Sequence, residues 1–259
     1  LNPIDDVWGN YYTAIRAANS FLENYSLEKL ERFQWNPNYK ENMEKAKMYV
    51  NEVRALRAFY YLELAKRYGD IPLLTRTYGI DEINTVSETP FDKVIEFIAQ
   101  ECSEVAPALP VSQKEFYNES GRVTRGMALS VKARALLYAA SPLHNALGEE
   151  DWRLAAEACG EAIAAAEDAG FEMLSKEQWT DNFMNVQYTN EQLWCYSVGN
   201  LKLSNSRLFG RYGQAQCDNQ KNASGICPTQ NFVDRFETIW GDPLDTEEDR
   251  AAAVALGHY

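Results

Sequence analysis

Residues 52–73 read EVRALRAFYYLELAKRYGDIPL, and this stretch decides the fold of the chain. Its apolar residues recur at three- and four-residue steps, which is the period of an α-helix, and the pattern extends back to residue 40. They form two stripes, namely Ala46, Tyr49, Val53, Leu56, Tyr60 and Leu64, and Ala55, Ala58, Phe59, Leu62 and Ala65. A helix that is apolar on two sides must be covered by neighbours on two sides. Gly69 offers a left-handed C-terminal cap and Pro72 prevents continuation, so a helix is predicted over 40–68.

Four further helices are predicted around this one from the same periodicity. Their expected ranges are 6–25, 90–106, 124–141 and 151–169. The helix that begins at Pro90 has the clearest start, with Thr89 as its N-cap and Asp92 completing a capping-box-like pattern. Cys102 and Cys159 fall on apolar faces of the third and fifth helices, so both are expected in the core.

An internal repeat relates the two halves of this helical region. Segment 55–61, ALRAFYY, is echoed by segment 132–138, KARALLY, and each is followed by a turn and an amphipathic helix. Two such helix-turn-helix units resemble tetratricopeptide repeats, which stack their helices to share one core. The long connection over 69–89 makes the repeat a divergent one. The expected fold class is therefore mostly α, with tetratricopeptide-like repeats in an α-α superhelix.

The character of the sequence changes after Gly170. Residues 191–198 form an apolar run that predicts a short strand, and residues 200–226 are rich in Asn, Gln, Ser and Gly. A loop of that length exceeds what a connection needs. A short helix is predicted over 229–238. We therefore expect two regions, which are a helical-repeat region over 1–175 and an irregular loop-rich region with minor β over 176–259.

Composition argues against several classes of partner. The formal net charge is −13, and an acidic protein repels a phosphate backbone, so no nucleic-acid partner is expected. For the same reason the chain would not adhere to anionic lipid through its own charge. No apolar run approaches the ~20 residues of a membrane span. The chain begins at Leu1 without a starting Met, so it is interpreted as excised or processed, and the missing signal peptide says nothing about its compartment.

The sequence offers little equipment for catalysis. It has two histidines, and neither His144 nor His258 lies in a zinc-binding pattern or beside a plausible nucleophile. His144 follows a helix-ending proline and is expected in a polar turn. The acidic run over 242–249 lacks the loop pattern of a calcium hand and is expected to be a solvated surface. No catalytic residue, metal ligand or cofactor is predicted, and pairing of Cys217 with Cys227 stays open.

Features that suit ligand binding are better represented. Trp35, Tyr212 and Trp240 lie outside the helical stripes, and flat aromatic rings stack on sugar faces. Asn, Gln and Arg side chains, in which the loop over 200–226 is rich, bond sugar hydroxyls. The candidate ligand-binding residues are Trp35, Asn205, Arg211, Tyr212, Gln214 and Trp240. The alternative, that these aromatic rings bury themselves beneath the loop, stays open.

Four segments resemble, in order and content, the SusD/RagB family of outer-membrane nutrient-binding lipoproteins. They are WxxYxxxIxxANxxLE over 8–23, ExRALRAFYYL and YGDIPL over 52–73, GRVT with AxAxxY and SP over 121–142, and NE with PTxxFVD over 190–234. The run RAFYY followed by YGDIP is distinctive in itself.

This resemblance implies a fold of tetratricopeptide-like helices that support an irregular ligand-binding region. It also implies a lipid-anchored protein on the extracellular face of the outer membrane. There it would act as a lid that captures glycans or other nutrients for a TonB-dependent, SusC-like transporter. The family's signal and lipid-bearing cysteine are absent from this chain, and its members extend well beyond Tyr259. The chain is therefore expected to be the N-terminal and middle part, with one helical flank contacting the barrel or the remainder of the protein.

Two other functions are compatible with the residues alone. A helical-repeat scaffold that binds other proteins would use the concave surface of such an array. A helical glycosidase would need a pair of carboxylates on either side of a bound sugar. The Asp and Glu residues of this chain lie mostly on solvated helix faces, so the enzyme is the least favoured of the three.

Overall fold

The computed structural model describes residues 7–112, 121–145, 147–184, 189–194, 232 and 235–258. Within these residues the protein is mostly helical, as the sequence predicts. The helices are α1 (Trp8–Asn24), α2 (Tyr39–Tyr68), α3 (Ile80–Ile83), α4 (Phe91–Val105), α5 (Arg125–Ala139), α6 (Glu149–Asp168), α7 (Asp181–Met184) and α8 (Glu247–Ala255). Short 3-10 helices cover Glu28–Phe33 and Ala106–Ala108. Contacts divide the chain into two compact units, Leu1–Ser197 and Val198–Tyr259.

The long helices of the first unit pack in chain order. Helix α1 packs on α2, α2 packs on α4 and α5, α4 packs on α5, and α5 packs on α6. Helix α2 is thus covered by three neighbours, as its two apolar stripes predict. The pairs α2 with α4 and α5 with α6 are the two expected helix-turn-helix units, so the tetratricopeptide-like fold class is confirmed.

One large core lies between α1, α2, α4 and α5. Its fully buried members include Ile15, Ala55, Ala58, Tyr61, Leu64, Val94, Ile98, Cys102 and Ala135. Burial raises the pKa of the Cys102 thiol to about 12, so this cysteine is a neutral core side chain, as predicted. A small separate cluster lies between α5 and α6, formed by Ala133 of α5 and by Ala158 and Ala162 of α6. Cys159 packs against that cluster but is only partly buried.

The periodicity of α2 does not predict two of its buried residues. Arg57 and Glu63 are only 6% and 7% exposed, although both are charged. Glu63 pairs with Lys66 and Arg67 on the same helix. Its burial alone would raise its pKa, but the hydrogen bonds from the two cations reverse this, so the pKa is lowered. Both side chains are buried because each has a partner of opposite charge.

Helix α4 starts one residue later than predicted and has a different cap. Thr89 is not its N-cap, because its backbone pairs with Ile71 in an isolated antiparallel bridge of 2.9 and 3.2 Å N···O distances. Pro90 takes the N-cap position with extended backbone and has no capping side chain. The first free amide of the helix, Phe91 N–H, instead donates to Asp70 Oδ1 over 2.8 Å. The capping carboxylate therefore comes from 21 residues upstream.

This long-range cap makes the stability of α4 depend on Asp70. Asp70→Ala removes the acceptor of the Phe91 amide, and loss of a capping side chain lowers the free energy of unfolding by about 1 kcal/mol. Asp70→Asn is the matched control, because its amide oxygen can still accept the bond, and a smaller loss is expected. Urea unfolding of the three proteins measures both effects. Equal midpoints for wild type and Asp70→Ala would show that the bond adds no stability.

Several other boundaries differ from the sequence predictions. Helix α6 begins at Glu149, two residues before the predicted start. The predicted strand over 191–198 is wrong at 191–194, which form turns and bends, while 195–198 lie outside the described residues. The predicted helix over 229–238 agrees with the structure at Phe232, which is helical, but is wrong at 235–238, which form turns, bends and coil. The predicted boundary between regions at residue 175 stays a prediction.

The acidic run near the C-terminus turned out to start a helix. Thr246 accepts from the Asp249 amide, and the Asp249 side chain accepts from the Thr246 amide, each over 3.1 Å. This reciprocal pair is a capping box, and it opens α8. The acidic residues of its first turn suit the positive end of the helix dipole.

Candidate ligand-binding surfaces

Two of the six predicted ligand-binding residues lie in the described part of the chain. Trp35 follows the Glu28–Phe33 helix in the first unit and is 87% exposed. Trp240 lies in the second unit and is 59% exposed. Neither indole is buried, although the loop over 200–226 lies outside the described residues, so the alternative of burial beneath it stays a prediction. The other four residues, Asn205, Arg211, Tyr212 and Gln214, lie outside the described residues.

Trp240 carries a histidine stacked on one of its faces. The centroids of the Trp240 and His258 rings lie 4.2 Å apart, with an angle of 16° between the planes. His258 Nδ1 lies 2.6 Å from Asp242 Oδ2, and Thr238 Oγ1 donates to the same oxygen over 2.7 Å. We call these four residues the Trp240 platform. Since one face is covered and the ring is still 59% exposed, the opposite face is its open surface.

The carboxylate of the Trp240 platform is held in its charged form. The hydrogen bond from Thr238 is the main cause of a lowered pKa at Asp242, and the bond from His258 adds to it. A carboxylate can only accept hydrogen bonds, so His258 Nδ1 carries the proton of the Asp242–His258 bond. Asp242 thereby fixes the orientation of the imidazole that lies against Trp240.

Local backbone signals position both rings of the platform. A tight turn over 238–242, with Gly241 at φ 88°, places Trp240 at its tip. Helix α8 ends with Gly257 at φ 75°, where the Gly257 amide bonds Val254 O and the His258 amide bonds Ala253 O. This bond pair is the Schellman motif, which fixes the residue that follows the glycine. The histidine is therefore held by the helix end, and the tryptophan by the turn.

The sequence analysis missed His258 as a member of this site. A local signal was present, because Gly257 after an alanine-rich helix marks a C-terminal cap. That signal predicts an ordered position for His258 but does not identify the ring on which it stacks. His144, by contrast, lies in a turn as predicted, where its amide bonds Ser141 O and its ring stacks on Phe91 at 3.9 Å.

A second candidate surface is a cavity between α1 and the connection that joins α2 to α4. Its volume is about 490 Å³, and its walls are mostly apolar and aromatic. They include Trp8, Tyr12, Leu74, Tyr78, Ile80 and Ile83. Two arginines also line it. Arg76 pairs with Glu82, while Arg16 has no ion pair within the described residues. The connection forms one wall, so its position determines the shape of the cavity.

A partly buried cluster of charged side chains on α2 and α4 holds that connection in place. Arg57 Nη2 lies 2.7 Å from Glu101 Oε2, and Arg54 Nη2 lies 2.7 Å from Glu101 Oε1. Arg57 also donates to Asn19 Oδ1 over 2.7 Å and to Thr75 O over 3.3 Å. The cluster thus links α1, α2 and α4 to the connection through charge-assisted hydrogen bonds. Among the described side chains, Arg57 Nε is the one buried polar atom without a partner.

Neutral side chains complete the attachment of the connection. Asn19 Nδ2 donates to Leu74 O over 2.8 Å and to Arg76 O over 3.0 Å. The Tyr61 hydroxyl donates to Leu74 O and accepts from the Leu74 amide, both over 2.8 Å. Tyr12 donates to Pro72 O over 2.8 Å. The distinctive residues of 52–73 therefore serve to hold this long connection in place.

A third candidate surface is a groove along α5 and α6. Its volume is about 680 Å³, and segments 171–173 and 191–193 close its sides. The lining includes Ala133, Ala162, Ile163, Phe171, Met173 and Leu193. Ile163 and Met173 are 58% and 82% exposed. This groove is apolar enough to be an interface.

Two further tests concern metals and membranes. Over the described ranges, no cluster of three or more His, Cys, Asp or Glu side chains is placed to hold a metal ion. Within the same ranges, no helix combines the length and apolarity that crossing a membrane requires.

Comparison with solved structures identifies the class of the fold as a tetratricopeptide-like helical-repeat protein of SusD type. A SusD homolog from Bacteroides thetaiotaomicron VPI-5482 is 26% identical, with a TM-score of 0.52 over 71% of this chain and 33% of its own. A SusD superfamily protein from the same strain is 21% identical, with a TM-score of 0.52 over 75% of this chain and 40% of its own. Surface glycan-binding protein A from Bacteroides uniformis is 20% identical, with a TM-score of 0.52 over 74% and 38% of the two chains.

The chain is similar to SusD-like proteins and shares their fold, as the resemblance of its sequence implies. It spans about a third of the length of the SusD homolog that it matches. The two structures below 25% identity support the fold alone. A scan of protein-family models gives no match, and neither does a search of curated proteins.

Proposed function

We propose that this chain is part of a cell-surface protein that captures an oligosaccharide or another nutrient without catalysis. The observation that carries the proposal is its match to the SusD homolog over 71% of the chain. A structural neighbour with the same fold is named a surface glycan-binding protein. The protein would lie on the extracellular face of the outer membrane, held by a lipid anchor outside this chain. It would deliver its ligand to a TonB-dependent, SusC-like transporter.

The Trp240 platform supports the carbohydrate part of this proposal. An open aromatic face provides the flat apolar surface on which a pyranose ring stacks. Asp242 and Thr238 lie beside it, and carboxylate and hydroxyl groups bond sugar hydroxyls. Trp35 offers a second exposed indole in the first unit. The six predicted ligand residues remain part of the proposal.

Affinity electrophoresis tests the proposed function. The full-length protein is run through native gels that contain neutral, anionic or amino-sugar polysaccharides, and through gels without polymer. At least one polysaccharide is expected to retard it. Co-purification from membranes with a TonB-dependent, SusC-like transporter tests the delivery step separately. Absence of retardation by every polymer, together with absence of a barrel partner, would overturn the proposal.

Replacing Trp240 by alanine tests whether the platform contacts the ligand. The substitution removes the stacking face, so affinity for the retarding polysaccharide is expected to fall roughly tenfold, or about 1.4 kcal/mol. Trp152→Ala is the matched control, because Trp152 lies on α6 and is 49% exposed. Isothermal titration gives the affinities, and circular dichroism checks that both variants fold. Equal losses of affinity in the two variants would show that Trp240 does not contact the ligand.

One observation favours a second candidate function. The apolar groove along α5 and α6 is a surface that a protein-binding scaffold would use. Charged substitutions at Ile163 and Met173 would then abolish capture of soluble partners and leave polysaccharide binding unchanged. Recovery of soluble partners and no transporter barrel would favour the scaffold over the nutrient-binding protein.

A further inference from the structure

We infer that the Trp240 platform selects neutral or amino-sugar glycans and disfavours glycans that carry carboxylate or sulfate groups. This inference rests on the proposed function and names its ligand class. The exposed indole supplies the stacking surface for any sugar ring. Selection among sugars then depends on the charges that surround the ring.

The segment that contains the platform carries an excess of negative charge. Residues 235–258 contain six carboxylates and two arginines, which gives a formal charge of −4 with neutral histidine. The carboxylates are those of Glu237, Asp242, Asp245, Glu247, Glu248 and Asp249.

Both arginines of this segment already have partners. Arg235 Nη1 lies 3.2 Å from Asp245 Oδ1, so its charge is partly compensated. Arg250 Nη1 donates to Leu244 O over 2.9 Å, which holds it beneath the start of α8. A bidentate arginine is the side chain best suited to a carboxylate or sulfate group. Neither of these two is available to form such a clamp without giving up its present bond.

The carboxylate of Asp242 is linked to the ring through His258. It bonds the imidazole that is stacked on Trp240, and its lowered pKa keeps it ionised across the neutral range. Carboxylates accept hydrogen bonds from sugar hydroxyls and attract the ammonium group of an amino sugar, whereas they repel a uronate. The same residues therefore favour one class of glycan and oppose the other.

Salt dependence distinguishes this repulsion from other causes. The Debye length is ~30 Å at 0.01 M ionic strength and ~8 Å at 0.15 M, so repulsion between exposed charges weakens strongly over that range. Loss of a sugar hydroxyl, by contrast, costs a hydrogen bond at either salt concentration. A charge-based preference should shrink as salt is added.

The test compares one polysaccharide with its own carboxylated derivative. The neutral polymer that retards the protein is treated so that its primary hydroxyls are oxidised to carboxylates, and both forms are titrated into the full-length protein. At about 10 mM salt the oxidised form is expected to bind roughly tenfold more weakly, and at about 150 mM the difference should fall below roughly threefold. An amino-sugar polymer that binds should show the opposite salt trend.

Two triple variants separate local charge from total charge. Glu237→Gln, Glu247→Gln and Glu248→Gln remove three charges from the segment that contains the platform and spare the Asp249 capping box. Glu28→Gln, Glu149→Gln and Asp168→Asn remove three exposed charges from the first unit and serve as the matched control. At low salt, the first set is expected to reduce the difference in affinity between the neutral and the oxidised polymer. The control set should leave the difference unchanged.

The outcomes distinguish this inference from the proposed function. No binding to any polysaccharide would overturn both. Binding to anionic polymers as tightly as to neutral ones at low salt would overturn the inference and leave the proposed function standing. The same holds if neither salt nor the platform variant changes the difference, since lost hydroxyl bonds would then account for it.

Discussion

Replacing Arg57 by methionine is expected to lower the free energy of unfolding by about 3 kcal/mol, which is the low end of the 3–5 kcal/mol seen when one partner of a buried ion pair is removed. Glu101 is 7% exposed and would lose Arg57, the buried one of its two arginine partners. Asn19 would lose its charged donor at the same time. Arg54 still pairs with Glu101, which is why the lower end of the range applies.

Urea unfolding, followed by circular dichroism, measures this loss. Arg153→Met is the matched control, because Arg153 pairs with Glu150 on the exposed face of α6. Exposed ion pairs contribute little, so the control midpoint is expected to match wild type. Arg57→Lys keeps the charge but not the planar fork that bonds Glu101 and Asn19 together, so an intermediate loss is expected. If the Arg57→Met and Arg153→Met midpoints agree, the buried cluster does not stabilise the fold.

Replacing Asn19 by alanine is expected to lower the free energy of unfolding by about 2–4 kcal/mol. The amide is 1% exposed and makes three hydrogen bonds, one of them with a charged donor. Buried groups that lose a partner cost about 1–3 kcal/mol each, although relaxation of the connection reduces the sum. The carbonyls of Leu74 and Arg76 lie in the connection, so the attachment of this segment to α1 is also weakened.

Hydrogen exchange locates the effect of Asn19→Ala as well as its size. Amides of residues 71–77 are expected to exchange faster, whereas those in the middle of α5 should change only with global stability. Asn24→Ala is the matched control, since Asn24 is exposed and its side-chain amide donates to Ser20 O of its own helix. Uniform acceleration across all helices, without a larger change at 71–77, would contradict the proposed attachment.

The two substitutions should not be additive. Asn19 and Arg57 share a 2.7 Å hydrogen bond, so the first substitution already removes an interaction that the second would break. The double variant is expected to lose less than the sum of the single losses, with a coupling of about 0.5–3 kcal/mol. Strict additivity would mean that this bond is not formed in solution.

Sequence periodicity predicted the helices well and their buried charges poorly. Each predicted long helix is present, and the two helix-turn-helix units pack as expected. Arg57 and Glu63 were not predicted to be buried, because charged residues beside an apolar stripe are expected to be exposed unless they are paired. Their partners become visible only when helices and connection are assembled.

The start of α4 was likewise predicted in part by the residues next to it. Thr89 followed by Pro90 is a strong N-terminal signal, and the helix does begin beside it. Yet the acceptor is Asp70, which lies 21 residues away in sequence. Capping rules examine neighbouring residues, so they identified where the helix starts but assigned the wrong acceptor to its first amide.

The candidate site was predicted in part. Trp240 was selected because it lies outside the helical stripes, and its exposure is consistent with that choice. His258 was set aside because no catalytic pattern surrounds it, although it stacks on Trp240. Trp35 and Trp240 lie in different units. Sequence composition can suggest suitable residue types, but it does not show which of them face one another.

The sequence by itself determined that the chain is helical and repeated, because residues 52–73 combine a two-sided helical period with a fixed stop at Gly69 and Pro72. These are short-range properties, which a linear pattern records. Only the tertiary structure decided that Arg57, Asn19 and Tyr61 hold the connection after that stop. Burial makes such polar groups require partners, and those partners come from segments distant in sequence.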